Sequence, residues 1–326
     1  MKKFITLLIT LFVMTGLFTG CGVKTGESAA KTLQDNTIAD IYPLTIKDAN
    51  GFEMSIEKEP VNIISLTLGT DEMLLGLIDK SRIKALTKYA DDAGISNVAE
   101  AAKQITIRVG SEEIEKIISL QPDLVFVDTW GDPKMIKQLR DAKINVYVFD
   151  TPNNIAQQRD TVQEIANIVG AKEEGIKIVI WMDEKLKAVE DRLKALKEED
   201  RLTVLDYGEM GSSSGKGTNF DDIVTRAGLV NVVSKAGIEL WPTLSKEKIV
   251  EMNPDIIILP SWYYDQNISL QGLINTIKND KSLADVKAVK NDRFLSVPNP
   301  HLSAISQYVV LGVEDVAKAA YPDLFK

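Results

Sequence analysis

A single cysteine and a single histidine limit the chemistry open to this 326-residue chain. A disulfide framework, a cysteine-rich metal site, a three-histidine zinc site and paired catalytic imidazoles are all excluded. What remains for binding is mostly aromatic. Trp130 and Trp262 close two similar phrases, EKIISLQPDLVFVDTW (115–130) and EKIVEMNPDIIILPSW (247–262), related by a gapless offset of 132 positions. Tyr263 and Tyr264 extend the second phrase, Trp241 precedes it, Tyr207 follows LTVLD, and Tyr89 follows the short apolar run 83–86. In open α/β sheets ligands sit beyond the carboxyl ends of strands, and large rings there suit a flat or bulky organic ligand. Lys88, Arg108 and His301 are the polar candidates beside them; His301 is either a contact to a bound metal or a loop histidine. Glu115 and Glu247 stand in the first turns of the repeated helices, where the dipole favours negative charge. GSSSGKGT (211–218) misses the phosphate-loop spacing by one residue, which leaves an anion-binding helix start or a cleft-side loop.

These residues need elements to hold them. Each phrase carries a helical period (Ile114, Ile117, Ile118; Ile249, Val250, Met252), a Pro-Asp break, and an apolar run suited to a buried strand. A helix–turn–strand unit occurring twice predicts two similar α/β lobes. A hairpin is expected over 44–56, turning at Asp48-Ala49-Asn50-Gly51. Strands are expected at 61–66, 83–86, 145–149, 202–206 and 294–297, and helices at 71–77, 133–142 and 220–227. That alternation gives two Rossmann-like lobes, mainly parallel sheets flanked by helices. Ile176, Val179, Ile180, Leu186, Val189, Leu193 and Leu196 predict one long α-helix joining them over 172–200, about 42 Å at ~1.5 Å per residue. The expected lobes are 41–171 and 201–326.

The amino-terminal run MKKFITLLITLFVMTGLFTGC has two lysines, a short apolar core and small residues, as an export signal does. Its core is too short for a ~20-residue membrane span. Phe18-Thr19-Gly20 before Cys21 resembles the bacterial lipoprotein signal, with Phe18 where leucine is usual. That resemblance implies a signal peptide over 1–20, lipid on Cys21, and a flexible tether over 21–40, against the alternative of a retained membrane anchor. Such a protein is held at the cell membrane on its extracytoplasmic side. Lys+Arg total 38 against 47 Asp+Glu, and a net charge of −9 without a basic run is unsuited to nucleic acid.

Two lobes on one long helix behind such a signal resemble the substrate-binding proteins of bacterial ABC importers for iron–siderophores, haem and cobalamin. The resemblance is carried by VNIISL before an acidic helix start, the two EKI…PD phrases, and KAVKNDRFLSV. It implies a non-enzyme without a resident cofactor, which captures a metal chelate between its lobes and delivers it to a permease dimer with its ATPase. The implied cleft residues are Tyr89, Arg108, Trp130, Tyr207, Trp241, Trp262, Tyr263 and His301. It further implies that Glu115 and Glu247 meet permease arginines, one from each lobe. No cluster of three basic residues favours a trianionic catecholate, so a hydroxamate siderophore or a corrinoid fits better. The alternatives are a receptor for another organic solute or a metal ion, or a cell-surface enzyme acting on such a chelate.

Overall fold

The computed structural model describes residues 41–208, 211–263, 265 and 267–326. The expected signal peptide, Cys21, the tether and Tyr264 lie outside the described residues. The chain starts with a hairpin, β1 (Leu44–Lys47) antiparallel to β2 (Glu53–Ile56) with Leu44 opposite Ile56. Its turn is built as Asp-x-Asn-Gly dictates. Asp48 Oδ1 accepts the amides of Asn50 (3.0 Å) and Phe52 (2.8 Å), and Gly51 takes φ +79°.

The N-terminal lobe follows with β3 (Ile63–Ser65), α1 (Leu68–Leu77), β4 (Ile83–Ala85), α2 (Ala99–Ala102) and α3 (Ile114–Ser119). Then come β5 (Leu124–Asp128), α4 (Pro133–Asp141), β6 (Val146–Phe149) and α5 (Ile155–Ile168). Its sheet is parallel, in the order β4-β3-β5-β6. After the connecting helix α6 (Lys172–Leu193), the C-terminal lobe runs β7 (Thr203–Asp206), α7 (Asn219–Arg226), β8 (Val230–Asn231), α8 (Val232–Lys235), α9 (Lys246–Met252) and β9 (Ile256–Ile258). It ends with α10 (Leu270–Asn279), α11 (Lys287–Lys290), β10 (Phe294–Leu295), α12 (Asn299–Leu302) and α13 (Val309–Ala320). Its sheet is also parallel, β8-β7-β9-β10. The two lobes thus share one strand order, and the repeat read from sixteen residues extends to whole sheets. Four consecutive residues of β5 are buried, as a sheet covered on both faces requires.

The repeated Pro-Asp has a structural reason. Asp123 accepts the amides of Val61 (2.9 Å) and Asn62 (3.0 Å), while Asp255 accepts the amide (2.9 Å) and hydroxyl (2.6 Å) of Thr203. Each carboxylate ties the entry of the lobe's third strand to the start of its first. Both helices before it end on a left-handed residue, Gln121 (φ +49°) and Asn253 (φ +45°).

The connecting helix ends at Leu193, not Asp200, so it is about 33 Å long at ~1.5 Å per residue. Beyond it Leu196 turns back onto the C-terminal core beside Gly228. Val179 belongs to the core of the N-terminal lobe, and Met182 and Val189 to that of the C-terminal lobe. Helix α5 does the same: Val162 and Ile165 pack in the first core, Ile155 in the second. The amide of Ile155 donates to Asp222 of the C-terminal lobe at 2.8 Å. Helix α6 is thus the one long helix between the lobes, and α5 packs beside it against both cores.

Candidate functional site

The carboxyl ends of both sheets face a cleft crossed by the segment around α12. On the C-terminal side a cavity of about 210 Å³ is lined by Asp206, Tyr207, Ser213, Ser214, Trp241 and Ser303, among others. On the N-terminal side a cavity of about 250 Å³ is lined by Thr67, Glu72, Asp128, Phe149, Ser303 and Ile305, among others. Ser303 borders both, so the two cavities lie on either side of that residue.

Tyr207 and Trp241 line the first cavity, where strand-end placement puts them. Trp130 comes from the opposite lobe, past the end of β5. Its ring meets that of Trp241 edge to face, 6.3 Å between centroids, and the two are 73% and 56% exposed. This leaves a pair of uncovered indoles at the mouth of the cleft, the arrangement aromatic contacts with a ligand need. Trp262 also crosses between lobes, but its Nε1 donates to Asp92 Oδ2 at 3.0 Å and its ring packs beside Gly94. Tyr263 is buried.

Tyr89, Arg108 and His301 are not among the residues lining either cavity. Tyr89 is exposed with the Lys88 ammonium 5.6 Å from its ring centre. Arg108 is spent on structure: it pairs with Asp91 at 2.6 Å and 2.8 Å and donates to the carbonyls of Ala102, Ile105 and Ile107. His301 Nδ1 lies 2.5 Å from Asp315 Oδ2, which fixes α12 onto α13. Its second nitrogen has no hydrogen-bond partner among the described residues. The serine loop is no anion cradle. Thr218 caps α7 through the amide of Asp221, Asp221 and Asp222 occupy its first turn, and the Ser213 and Ser214 hydroxyls donate to Asp206 (2.8 Å and 2.6 Å).

Three carboxylates at the cleft escape the sequence pattern. Asp206 ends β7 and is held up from the usual carboxylate range by burial, despite Ser213, Ser214 and a backbone amide. Asp128 ends β5 and is likewise raised by burial; its Oδ1 accepts the Trp130 amide at 3.1 Å. Glu72 on α1 is buried, accepts the amide (2.7 Å) and side chain (2.9 Å) of Asn97, and takes the Ser306 hydroxyl. Burial raises it too. Since Gln307 also donates to the Glu72 carbonyl at 3.0 Å, this cluster fastens the N-terminal lobe to the start of α13. The signal available in sequence was an aspartate at the end of an apolar run, VFVD and TVLD.

Glu115 and Glu247 stand on the surface at the second positions of α3 and α9, and neither forms an ion pair among the described residues. Ser245 caps α9, and its hydroxyl with a first-turn amide holds Glu247 below the usual carboxylate range. At α3, Glu113 rather than Glu115 takes the amide of Gly110 (2.8 Å). Four residues on from each glutamate, at Ser119 and Glu251, the copies differ; three on, Ile118 and Val250 are both exposed apolar residues.

A sequence profile described as periplasmic binding protein matches residues 63–300. The chain is 26% identical to an uncharacterized ABC transporter substrate-binding lipoprotein of Bacillus subtilis, YvrC, with the whole of both chains covered. It is 25% identical to the molybdate-binding protein MolA of Haemophilus influenzae, covering 90% of this chain and 87% of that one. Among solved structures, the haem-binding protein HmuT superposes with a TM-score of 0.70 at 23% identity, covering 86% of this chain and 90% of that one. At that identity the likeness establishes the fold. These relatives are binding proteins, not enzymes.

Proposed function

The chain belongs to the periplasmic binding protein family, and from that premise we propose that it is the lipid-anchored receptor of an ABC importer for a metal chelate. The chelate is a ferric siderophore of the hydroxamate kind first, a corrinoid or haem next. It enters between the lobes and is handed to a permease dimer driven by its ATPase. The observation that carries this is the indole pair: Trp130 and Trp241 come from opposite lobes and stand uncovered, Trp241 at the rim of a cavity that the C-terminal lobe lines. Aromatic faces so placed bind a bulky organic shell while its metal stays inside the chelate; among the described residues no group of three His, Cys, Asp or Glu is arranged to hold a bare ion.

Titration of tryptophan fluorescence with a ferric trihydroxamate, aquocobalamin and haemin tests the reading. Quenching that saturates with one of them supports it, and no quenching by any of the three ends it. Anchoring is tested apart: Cys21→Ala should move the protein from the membrane to the soluble fraction or leave it unprocessed, because it removes the only thiol. Delivery rests on Glu115 and Glu247, one exposed carboxylate on each copy of the repeat, available to permease arginines.

A further inference from the structure

We infer that the cleft selects its ligand by charge: it takes a chelate that is cationic or carries a pendant ammonium, and it rejects anions. This rests on the receptor reading above and narrows it. Among the residues lining the two cavities, the charged ones are Asp206 on one side and Glu72 and Asp128 on the other; no lysine, arginine or histidine lines either. Asp128 and Asp206 end a central strand of each sheet and line one cavity each, so each side of Ser303 presents a carboxylate.

Three bases are already committed to carboxylates. Arg108 is paired with Asp91, His301 with Asp315, and the Lys246 ammonium with Asp280 at 2.5 Å. Both oxygens of Asp206 and of Glu72 take donors from the protein, side chains among them, whereas Asp128 takes backbone amides and no side-chain donor among the described residues. A half-buried carboxylate that lines a cavity has acceptor capacity for a donor from the ligand.

The mouth agrees independently. The negative faces of Trp130 and Trp241 attract a cation and give nothing to an anion. Burial disfavours the ionised forms of Asp128 and Asp206, and a bound cation would reverse that, so binding should release protons where these groups are partly protonated. An oxyanion of the kind named for one relative would meet the opposite electrostatics here.

The test holds the metal and its hydroxamate shell constant and changes only the pendant charge. Three probes are used: the iron complex of desferrioxamine B with its free ammonium, the same complex N-acetylated, and the same complex N-succinylated. Affinities are read by tryptophan quenching at low salt for the wild type, Asp206→Asn and Asp128→Asn, with circular dichroism confirming folding. Expected is a fall in affinity from cationic to neutral to anionic probe of roughly tenfold per step, shrinking as salt is added. At least one Asn variant should flatten the series; Asp128 is the less embedded of the two and serves if Asp206→Asn does not fold. A flat or reversed series in the wild type overturns the charge inference and leaves the receptor reading standing. A series unchanged in both folded variants overturns the assignment to these carboxylates. Failure of all three probes to bind removes the hydroxamate reading itself, and the charge inference falls with it.

Discussion

The two copies of the repeated phrase, 115–130 and 247–262, agree at their Pro-Asp and part company at their tryptophans. Asp123 and Asp255 do one job twice, closing the first strand of each lobe against the third. Trp130 and Trp262 also share a task, reaching from one lobe to the other, but they perform it by different physics. Trp130 meets Trp241 through ring contact alone and is 73% exposed. Trp262 is fastened to Asp92 by a hydrogen bond and packs on Gly94. Backbone geometry repeats where the sequence repeats, because the same turn presents the same amides. A strand tip faces the other lobe, and the opposing residues were never duplicated. One rim of the cleft is therefore left uncovered, and the other acts as a tie.

The same comparison applies to the first helices, and there the largest effect is expected. Asp71 on α1 is buried, with Thr87 donating through its amide and its hydroxyl, and burial pushes it up to about 8. Asp222 stands four residues after the capping Thr218 of α7, as Asp71 stands four after the capping Thr67 of α1, but it pairs with Arg226 on a half-open surface. A carboxyl whose folded value is raised binds more protons folded than unfolded. Its stabilisation is present below the unfolded value of 3.8 and is lost as pH rises towards about 8. Asp71→Asn should flatten the fall of melting temperature between those limits, while Asp222→Asn should leave the slope in place. Equal slopes in wild type and Asp71→Asn would break the contrast.

Next in size are the Pro-Asp ties. Asp123→Ala and Asp255→Ala should each cost about 2–3 kcal/mol in urea unfolding, since each leaves two charge-assisted bonds unmade, to two backbone amides at Asp123 and to the Thr203 amide and hydroxyl at Asp255. Unequal losses differing by more than about 1.5 kcal/mol would show that the two ties are not equivalent. Smaller again, Trp130→Ala should weaken ligand binding by about 1–3 kcal/mol with little change in melting temperature. Trp262→Ala should lower stability by about 1 kcal/mol through loss of the Asp92 bond and packing. Reversal of those two signatures would exchange the roles of the rims.

The repeat, the hairpin turn and the parallel α/β lobes were legible because each rests on local pattern: Asn-Gly for the turn, Pro-Asp for the break between helix and strand, unbroken apolar runs for buried strands. The end of α6 was not. The spacing that runs on to Leu196 is satisfied by a fold-back onto Gly228, and period alone does not distinguish a continuing helix from a returning one. Helix α5 is obscured by its own polar middle, QQRDT, with core contacts at Ile155, Val162, Ile165 and Ile168 spaced too widely at the start to register as a period. Tyr207 and Trp241 line a cavity, where the strand-end rule puts them, and Trp130 stands against Trp241 without lining either cavity. Arg108 and His301 do not line the cavities, because a polar side chain goes to whichever partner the fold supplies first, Asp91 and Asp315 here. Asp128 and Asp206 were hidden in plain view as strand terminators.

The smallest expected effect in the isolated protein belongs to Glu115 and Glu247, and it separates two explanations of the repeat. If a glutamate stands there only to complement a helix start, its removal should be felt in stability. Glu247 is held below the usual carboxylate range by a first-turn amide and the Ser245 hydroxyl, so its contribution is present above the unfolded value of 4.5 and lost as pH falls through the folded one. Glu247→Gln should therefore lower the melting temperature slightly at neutral pH and not at all in acid. Glu115→Gln should not change it, because Glu113 already serves the Gly110 amide. Neither should alter ligand affinity, since neither residue lines the cleft. Uptake by cells at limiting ligand is where the two should become equal: each Gln variant lowers it and the double variant lowers it further, as an unpaired permease arginine costs most when both ends of the contact are lost. Normal uptake by the double variant, at equal expression and anchoring, would reduce both residues to helix-start chemistry. Unequal single losses that track the melting temperatures would do the same, because a docking role predicts symmetry in transport where the fold shows asymmetry in stability.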